Sequence, residues 1–193
     1  KNDMEVCEQA DYYGYFCKIK VAEATAYYSE EEAKAIIQER AAKIRKAIEA
    51  KDMEALFPFV HPDRGLTFSS PIAGFKISQD QVKTLFENTT EYEGVSDGSG
   101  FPFTYTQASY YNSFVFRFDS DYANAPQISY NRKIGKGNYD SGSFLTYYEE
   151  NPIIVEYYFS ADQGNSWSSL QLVFLEIDSA WYLVEIGTNF WTI

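Results

Sequence analysis

Three long stretches near the C-terminus constrain the fold most, because each places its side chains on two faces with the period of two that is typical of β-strands. They span residues 153–160, 167–177 and 181–187. Residues 162–165 and 177–180 separate them with compositions that favour tight turns. The pattern predicts antiparallel strands joined by hairpins. Both faces of these strands are largely apolar, so we expect helices to cover one face and a pocket or a partner to cover the other.

A long amphipathic helix precedes the strands. Ser29 is a good N-cap, and Glu32 stands three residues later, which completes a capping box. Apolar side chains follow at helical spacing up to Ile48, so we expect about five turns with one buried face. Shorter helices are expected after Asp52 and Ser78, and a further amphipathic segment over residues 106–117. Residues 92–104 are interpreted as a loop.

The order of these elements, helices first and long antiparallel strands afterwards, predicts an α+β fold. A strongly curved antiparallel sheet wrapped around the N-terminal helices would form a cone, and the open end of a cone is a common place for a ligand. We expect one domain over residues 29–193 and an N-terminal extension over residues 1–28, which a disulfide could close.

Charge and hydropathy exclude two classes of function. The 193 residues carry a formal net charge of −12 and show no Lys/Arg cluster, which argues against nucleic-acid binding because phosphate contacts dominate that affinity. No apolar run approaches the ~20 residues of a transmembrane helix. The sequences that mark serine hydrolases, zinc proteases and P-loop nucleotide sites do not occur, and we predict no cofactor and no metal site.

The chain is rich in aromatic residues, with 17 Tyr, 15 Phe and 3 Trp, together 18% of the sequence. This content is typical of β-rich proteins, and it also suits a ring-lined face that binds carbohydrate or another small molecule. The candidate ligand-binding residues at the mouth of the cone are the following aromatic residues: Tyr105, Tyr111, Tyr157 and Trp167, together with Trp181. Core packing is the alternative role for all of them.

The two cysteines, Cys7 and Cys17, lie ten residues apart near the N-terminus. Neither a histidine nor a third cysteine lies nearby, so a zinc site lacks ligands. In an oxidising compartment they would form a local disulfide, and the alternative is two unpaired thiols. Because position 1 is Lys and not Met, we expect a processed or truncated chain.

Three residues are candidates for catalysis. Glu156 and Glu185 interrupt apolar strands, and if they share a cavity their mutual repulsion and burial would raise their pKa values. Alternatively, both carboxylates face water or pair with Arg117 or Arg132. The single histidine, His61, would need an orienting carboxylate to act as an acid–base group, for which Asp63 and Asp97 are conceivable. The alternative for His61 is a structural role in a turn.

Several segments resemble a family of uncharacterised bacterial lipoproteins and secreted proteins within the NTF2-like, cystatin-like cone superfamily. They are residues 61–69, 97–102, 110–115, 156–159 and 167–174, with the last strands at 181–186 and 191–193. The resemblance covers roughly residues 30–193 and departs from the family pattern at residues 70–72 and 187–190. It implies a cone fold and an exported protein, often lipid-anchored through a cysteine upstream of this sequence. It carries no assigned activity.

The sequence and this resemblance together lead to one main hypothesis. We expect an extracytoplasmic, lipid-anchored and non-enzymatic domain of the cell envelope, with a small-molecule pocket in the cone. The alternative is a small hydrolase or isomerase that acts on a lipid- or sugar-like molecule through Glu156, Glu185 or His61. A third hypothesis is a structural envelope protein. The expected partners are a small molecule or an envelope protein, with a homodimer through the sheet face opposite the helices as a further hypothesis.

Overall fold

A computed structural model describes residues 6–10, 14–18, 28–96, 99–115, 126–135, 151–161 and 166–191 of the chain. Every structural statement below concerns these residues, and for residues 6–10 and 14–18 it concerns the backbone alone.

The helices begin where the sequence places their caps. In α1 (Glu30–Ala50), the Ser29 hydroxyl accepts a hydrogen bond from the Glu32 backbone amide, and the Glu32 carboxylate accepts one from the Ser29 backbone amide, so the capping box is formed. The helix ends at Lys51, which adopts a left-handed conformation with φ 53°. The shorter helices are α2 (Met53–Leu56), α3 (Gln79–Lys83) and α4 (Gln107–Tyr110), capped by Asp52, Ser78 and Thr106 respectively. A π-helical turn, Tyr111–Val115, continues α4.

Six strands of the described chain form one sheet in the order β4-β3-β10-β9-β8-β7. They are β3 (Leu66–Ser69), β4 (Gly74–Ile77), β7 (Gln127–Tyr130), β8 (Ile153–Ala161), β9 (Ser166–Ile177) and β10 (Ala180–Trp191). The predicted antiparallel hairpins are present, but β3 runs parallel to β10, with Ser69 opposite Gly187. The sheet is therefore mixed. The sequence did not predict the parallel pair, because the side-chain pattern of a strand does not encode the direction of a distant partner.

The expected loop over residues 92–104 is wrong in part. Strands β5 (Glu91–Val95) and β6 (Pro102–Thr106) pair there as an antiparallel hairpin. Each of these strands buries only one residue, Gly94 in β5 and Tyr105 in β6, so neither shows the apolar alternation that marks a strand.

Alpha helix α1 covers one face of the sheet. Its buried residues Ile37 and Ile44 belong to the same apolar core as Leu172 and Ile186. Strand residues alternate between faces, so the residues next to them in β8–β10 lie on the opposite side, called the back face below. A separate apolar cluster of Val173, Leu175 and Val184 lies there. Both Val173 and Leu175 are fully buried within this single chain, so this part of the back face is not open to a second copy. The predicted α+β class, with helices packed on the sheet, is confirmed.

The N-terminal residues form a second, small sheet of β1 (Val6–Ala10) and β2 (Gly14–Lys18). The antiparallel register places Cys7 directly opposite Cys17. Directly opposed residues of such a pair have Cα atoms about 4.5–5.5 Å apart, which is within the range of a disulfide. The side chains lie outside the described part of the chain, so the disulfide stays a prediction.

Candidate functional site

Three of the predicted ligand-binding residues lie inside the core on the α1 side. The Tyr111 hydroxyl donates to the Ile48 carbonyl at 2.7 Å, and the Tyr105 hydroxyl donates to the Gly74 carbonyl at 2.8 Å. Tyr157 is 3% exposed and packs beneath the guanidinium of Arg45 at 5.0 Å. Burial raises the pKa of Tyr111 and of Tyr157 above the ordinary tyrosine value. All three rings therefore contribute to the apolar core, and two of the hydroxyls are bound to backbone.

Trp167 lies on the other side of the sheet. Its ring contacts Gly135 so closely that a Cβ there would approach the ring to 2.6 Å, and the Tyr158 ring lies 5.8 Å away. Trp181 is half-buried and packs edge-on to Tyr28 at 5.7 Å. The structure thus does not gather the predicted aromatic residues at one mouth.

His61 occupies a turn. Its Nδ1 accepts hydrogen bonds from the backbone amides of Asp63 and Arg64, both at 3.1 Å. The ring packs edge-on to Tyr182, with centroids 4.8 Å apart. The described contacts of Asp63 to this ring come from its backbone, and Asp97 lies outside the described residues. This geometry matches a turn histidine that organises its own loop.

Glu156 is 2% exposed and lies on the back face of β8. Its carboxylate accepts hydrogen bonds from the backbone amides of Ile134 and Gly135 and from the side-chain amide of Gln171 at 3.3 Å. Charge-assisted hydrogen bonds of this kind stabilise a buried carboxylate. Arg132, one of the proposed partners, forms its ion pair with Glu30 at 2.8 Å instead. The other proposed partner, Arg117, lies outside the described residues.

Glu185 is also buried on the back face, at 7% exposure, and accepts a hydrogen bond from the Ser69 hydroxyl. The two carboxylates share this face, but they do not form a pair. Gln171 lies opposite Glu156, and Gly187 lies opposite Gln171, so two strand spacings, about 10 Å, separate β8 from β10. Each carboxylate therefore has its own hydrogen-bond partners.

A small space, called the notch below, lies on the back face at Gly187 beside Glu185. Gly187 has no side chain, and a Cβ built there would lie 3.2 Å from the Ser69 hydroxyl, 3.5 Å from the Glu185 carboxylate and 3.6 Å from the Gln171 Cβ. Two buried oxygens on the adjacent strand, Gln171 Oε1 and Ser169 Oγ, have no hydrogen-bond partner among the described residues. Gln171 is 2% and Ser169 0% exposed. Unpartnered buried polar atoms are rare in native proteins and call for an explanation.

Three residues, Gln171, Glu185 and Ser69, surround Gly187 at the notch. Ser169 and Glu156 lie farther away on the same back face. Sequence analysis found the two glutamates and missed the other residues. One signal was present, because Gln171 stands between Leu170 and Leu172 in an apolar strand. A polar residue in such a run is informative, since its burial must be compensated.

The described residues provide neither a metal site nor a membrane-spanning helix. Residues of the types His, Cys, Asp and Glu are not gathered in groups of three or more that could hold a metal ion. Within the same residues, each helix is too short or too polar to cross a membrane.

Comparison with known proteins concerns the fold. An NTF2-like protein of unknown function from Shewanella oneidensis MR-1 is 11% identical, with 79% of this chain and 95% of that chain covered and a TM-score of 0.36. A cystatin-like-fold protein of unknown function from Nostoc punctiforme PCC 73102 is 14% identical, with 86% and 95% covered and a TM-score of 0.36. An NTF2-like protein from Cytophaga hutchinsonii ATCC 33406 is 16% identical, with 83% and 98% covered and a TM-score of 0.34.

No protein-family model matches the chain, and no curated protein matches it by sequence. Solved structures similar to this chain thus include proteins described as having NTF2-like or cystatin-like folds.

Proposed function

We propose that the chain is a non-enzymatic domain that binds a small molecule at the back-face notch. The observation that carries this proposal is the pair of buried oxygens on the back face, Gln171 Oε1 and Ser169 Oγ, that have no hydrogen-bond partner among the described residues. A ligand with hydrogen-bond donors would satisfy both atoms. The α1 side of the sheet is less suited, because the rings of Tyr111 and Tyr157 fill it.

We also propose where in the cell the domain acts. The domain is exported and acts in the cell envelope, held there by a lipid anchor outside this sequence. Support comes from the family resemblance and from the register that sets Cys7 opposite Cys17, since disulfides persist in oxidising compartments. An envelope protein or a second copy of the chain would need a surface other than the buried back face of β9. The edge strand β7 offers one, where Ile128 is 44% exposed.

One observation favours a second function, a small hydrolase or isomerase. Glu156 and Glu185 are buried, as general acids and bases often are. The separation of the two carboxylates and the hydrogen bonds that each accepts favour binding over a shared catalytic site.

A thermal-shift screen tests the binding function. The chain is mixed with a panel of neutral, anionic and cationic small molecules, and each mixture is analysed afterwards for chemical conversion. We expect at least one compound to raise Tm unchanged, because a ligand that binds only the folded state stabilises it. The rise should disappear in Gly187→Ala, which fills the notch. A rise of equal size in that variant would contradict the notch as the site, and conversion that Glu156→Gln abolishes would establish the enzyme instead.

A further inference from the structure

The β5–β6 hairpin presents an exposed apolar tip. The large apolar side chains that are exposed in the described chain are Ile36, Val95, Phe101 and Ile128, and two of these four lie at this tip. Val95 is 54% and Phe101 72% exposed. Phe101 precedes Pro102, which is also exposed and lies opposite Val95 across the two strands. Scattered exposed apolar side chains are ordinary, but apolar side chains that adjoin at one projecting tip are typical of contact surfaces.

The backbone around this tip is fixed by hydrogen bonds. The Ser96 amide donates to the Phe101 carbonyl at 2.8 Å, and the Gly100 amide donates to the Ser96 carbonyl at 3.0 Å. Gly100 has φ 69°, a conformation that glycine adopts without steric cost. The Val95 amide donates to the Ile72 carbonyl at 3.0 Å. Both apolar residues of the tip are therefore carried on a backbone that is already ordered.

Aromatic side chains attach the base of the hairpin to the rest of the domain. The rings of Tyr92 and Tyr105 stack with centroids 5.8 Å apart, and the Tyr92 ring lies 5.2 Å from that of Phe75 in β4. The Tyr105 hydroxyl donates to the Gly74 carbonyl at 2.8 Å and accepts from the Gly74 amide at 3.0 Å. The side-chain amide of Gln107 in α4 donates to the Tyr92 hydroxyl at 2.9 Å. Because the hairpin is held in this way, docking of its tip requires little further ordering, which favours binding.

The charged residues of β5 and β6 are both acidic. Glu91 and Glu93 are exposed and alternate onto the same face of β5 as Val95, so Glu93 lies about 7 Å and Glu91 about 14 Å from Val95 along the strand. The residues opposite the two glutamates, Thr106 and Thr104, are uncharged. Complementary potentials favour association, so a fitting partner carries lysine or arginine side chains close to the apolar surface that receives the tip.

We propose that the hairpin tip docks into an apolar pocket of another protein, and that lysine or arginine side chains of that protein surround the pocket. Phe101 enters the pocket, since aromatic side chains are enriched at protein interfaces, and Glu93 meets the basic rim. A second copy of this chain fits less well, because a two-fold contact at the tip would bring Glu91 and Glu93 of both copies together in a chain of net charge −12. An anionic lipid surface would repel the same carboxylates. The hairpin contributes no residue to the back-face notch, so this inference is independent of the proposed small-molecule site.

Photo-cross-linking from the tip followed by titration tests the proposal. The photoreactive residue p-benzoylphenylalanine replaces Phe101 in one version of the full chain and Ile36, which is 41% exposed on α1, in a control version, and both are irradiated in the native host. We expect a protein that cross-links to position 101 and not to position 36. This protein is then purified and titrated into the full chain. Phe101→Ala should weaken the binding about tenfold or more, as loss of an interface anchor does, whereas Ile36→Ala should leave it unchanged. Glu93→Lys and added salt should each weaken it as well.

Four results would overturn the proposal. The absence of a cross-link from position 101, or equal affinity of the wild type and Phe101→Ala for the purified protein, would show that the tip is not the docking element. Binding that neither salt nor Glu93→Lys weakens would overturn the basic rim of the pocket. A cross-link to a second copy of the chain or to lipid would assign the tip to that occupant instead. Because Phe101 is 72% exposed, Phe101→Ala should fold normally, and an unchanged Tm separates lost binding from lost folding.

Discussion

Gln171 donates its side-chain amide to the Glu156 carboxylate across β9 and β8, with a nitrogen–oxygen distance of 3.3 Å. The same carboxylate accepts hydrogen bonds from the backbone amides of Ile134 and Gly135. One glutamate therefore joins the sheet to the segment that packs against the Trp167 ring. The residue that sequence analysis considered for catalysis therefore has a structural task, and it fixes which atom of Gln171 remains available to a ligand.

Replacing that glutamate should destabilise the fold. In Glu156→Gln an amide replaces an acceptor that three N–H groups share, and hydrogen bonds to charged groups contribute about 1.5–3 kcal/mol each. We expect the free energy of unfolding, measured in urea, to fall by about 1–3 kcal/mol. Glu176→Gln at the exposed end of β9 is the control and should change it by less than about 0.5 kcal/mol. Equal stabilities of the two variants would show that Glu156 does not tether this segment.

The buried tyrosines predict an alkaline transition. Burial raises the pKa values of Tyr110, Tyr111 and Tyr157, so the folded chain holds these protons more tightly than the unfolded chain does. This stabilisation is fully present below the unfolded pKa of about 10 and is lost as the pH rises above it. Spectrophotometric titration should show a group of tyrosines that ionise only when the chain unfolds. Early ionisation of all tyrosines, with the circular dichroism unchanged, would contradict their placement in the core.

The ion pair between Arg132 and Glu30 predicts a pH-dependent contribution to stability at low pH. The Arg132 side chain beside Glu30 lowers the pKa of that carboxyl. A lowered folded-state pKa adds stability above the unfolded value of about 4.3, and this stability is lost as the pH falls through the folded pKa. The stability difference between the wild type and Glu30→Gln should therefore shrink as the pH is lowered from 7 towards 3. Added salt should also reduce it, because both side chains are about half exposed to solvent. A difference that is independent of pH would contradict the ion pair.

The N-terminal hairpin predicts a disulfide between Cys7 and Cys17. Protein oxidised in solution should have a mass lower by two hydrogens than the reduced form, and reduction should open the loop to proteolysis. The double variant Cys7→Ser, Cys17→Ser should keep the urea midpoint of the main domain within error, because a short loop stabilises mainly its own segment. Thiols that stay free under oxidising conditions would contradict the prediction.

Local signals in the sequence predicted many of the helices and strands, whereas the pairing of distant strands could not be predicted. The caps at Ser29 and Ser78 were predictable because a capping side chain acts within four residues. The parallel pairing of β10 with β3 was not predictable, because a partner strand more than a hundred residues away leaves no local pattern in the sequence. The faces of β8–β10 were also undecided, since both are largely apolar and only the position of α1 distinguishes them.

For the candidate site as well, individual residues were predictable from the sequence but their arrangement was not. Glu156 and Glu185 were found because a charge within an apolar run is conspicuous. That Gln171 separates them depends on the register of three strands, which the turn compositions did not determine. Tyr105 and Tyr111 were assigned to a pocket because aromatic content alone does not distinguish a ring that lines a cavity from one that fills it.

NMR mapping of any compound that raises Tm tests the central claim most directly, because the two sides of the sheet carry different reporters. The account predicts shifts of the Trp167 indole and the Gln171 side-chain amide, with the ring signals of Tyr111 and Tyr157 unchanged. Shifts of those two tyrosine rings, with Trp167 and Gln171 unchanged, would place the ligand on the α1 side and contradict a binding site on the back face.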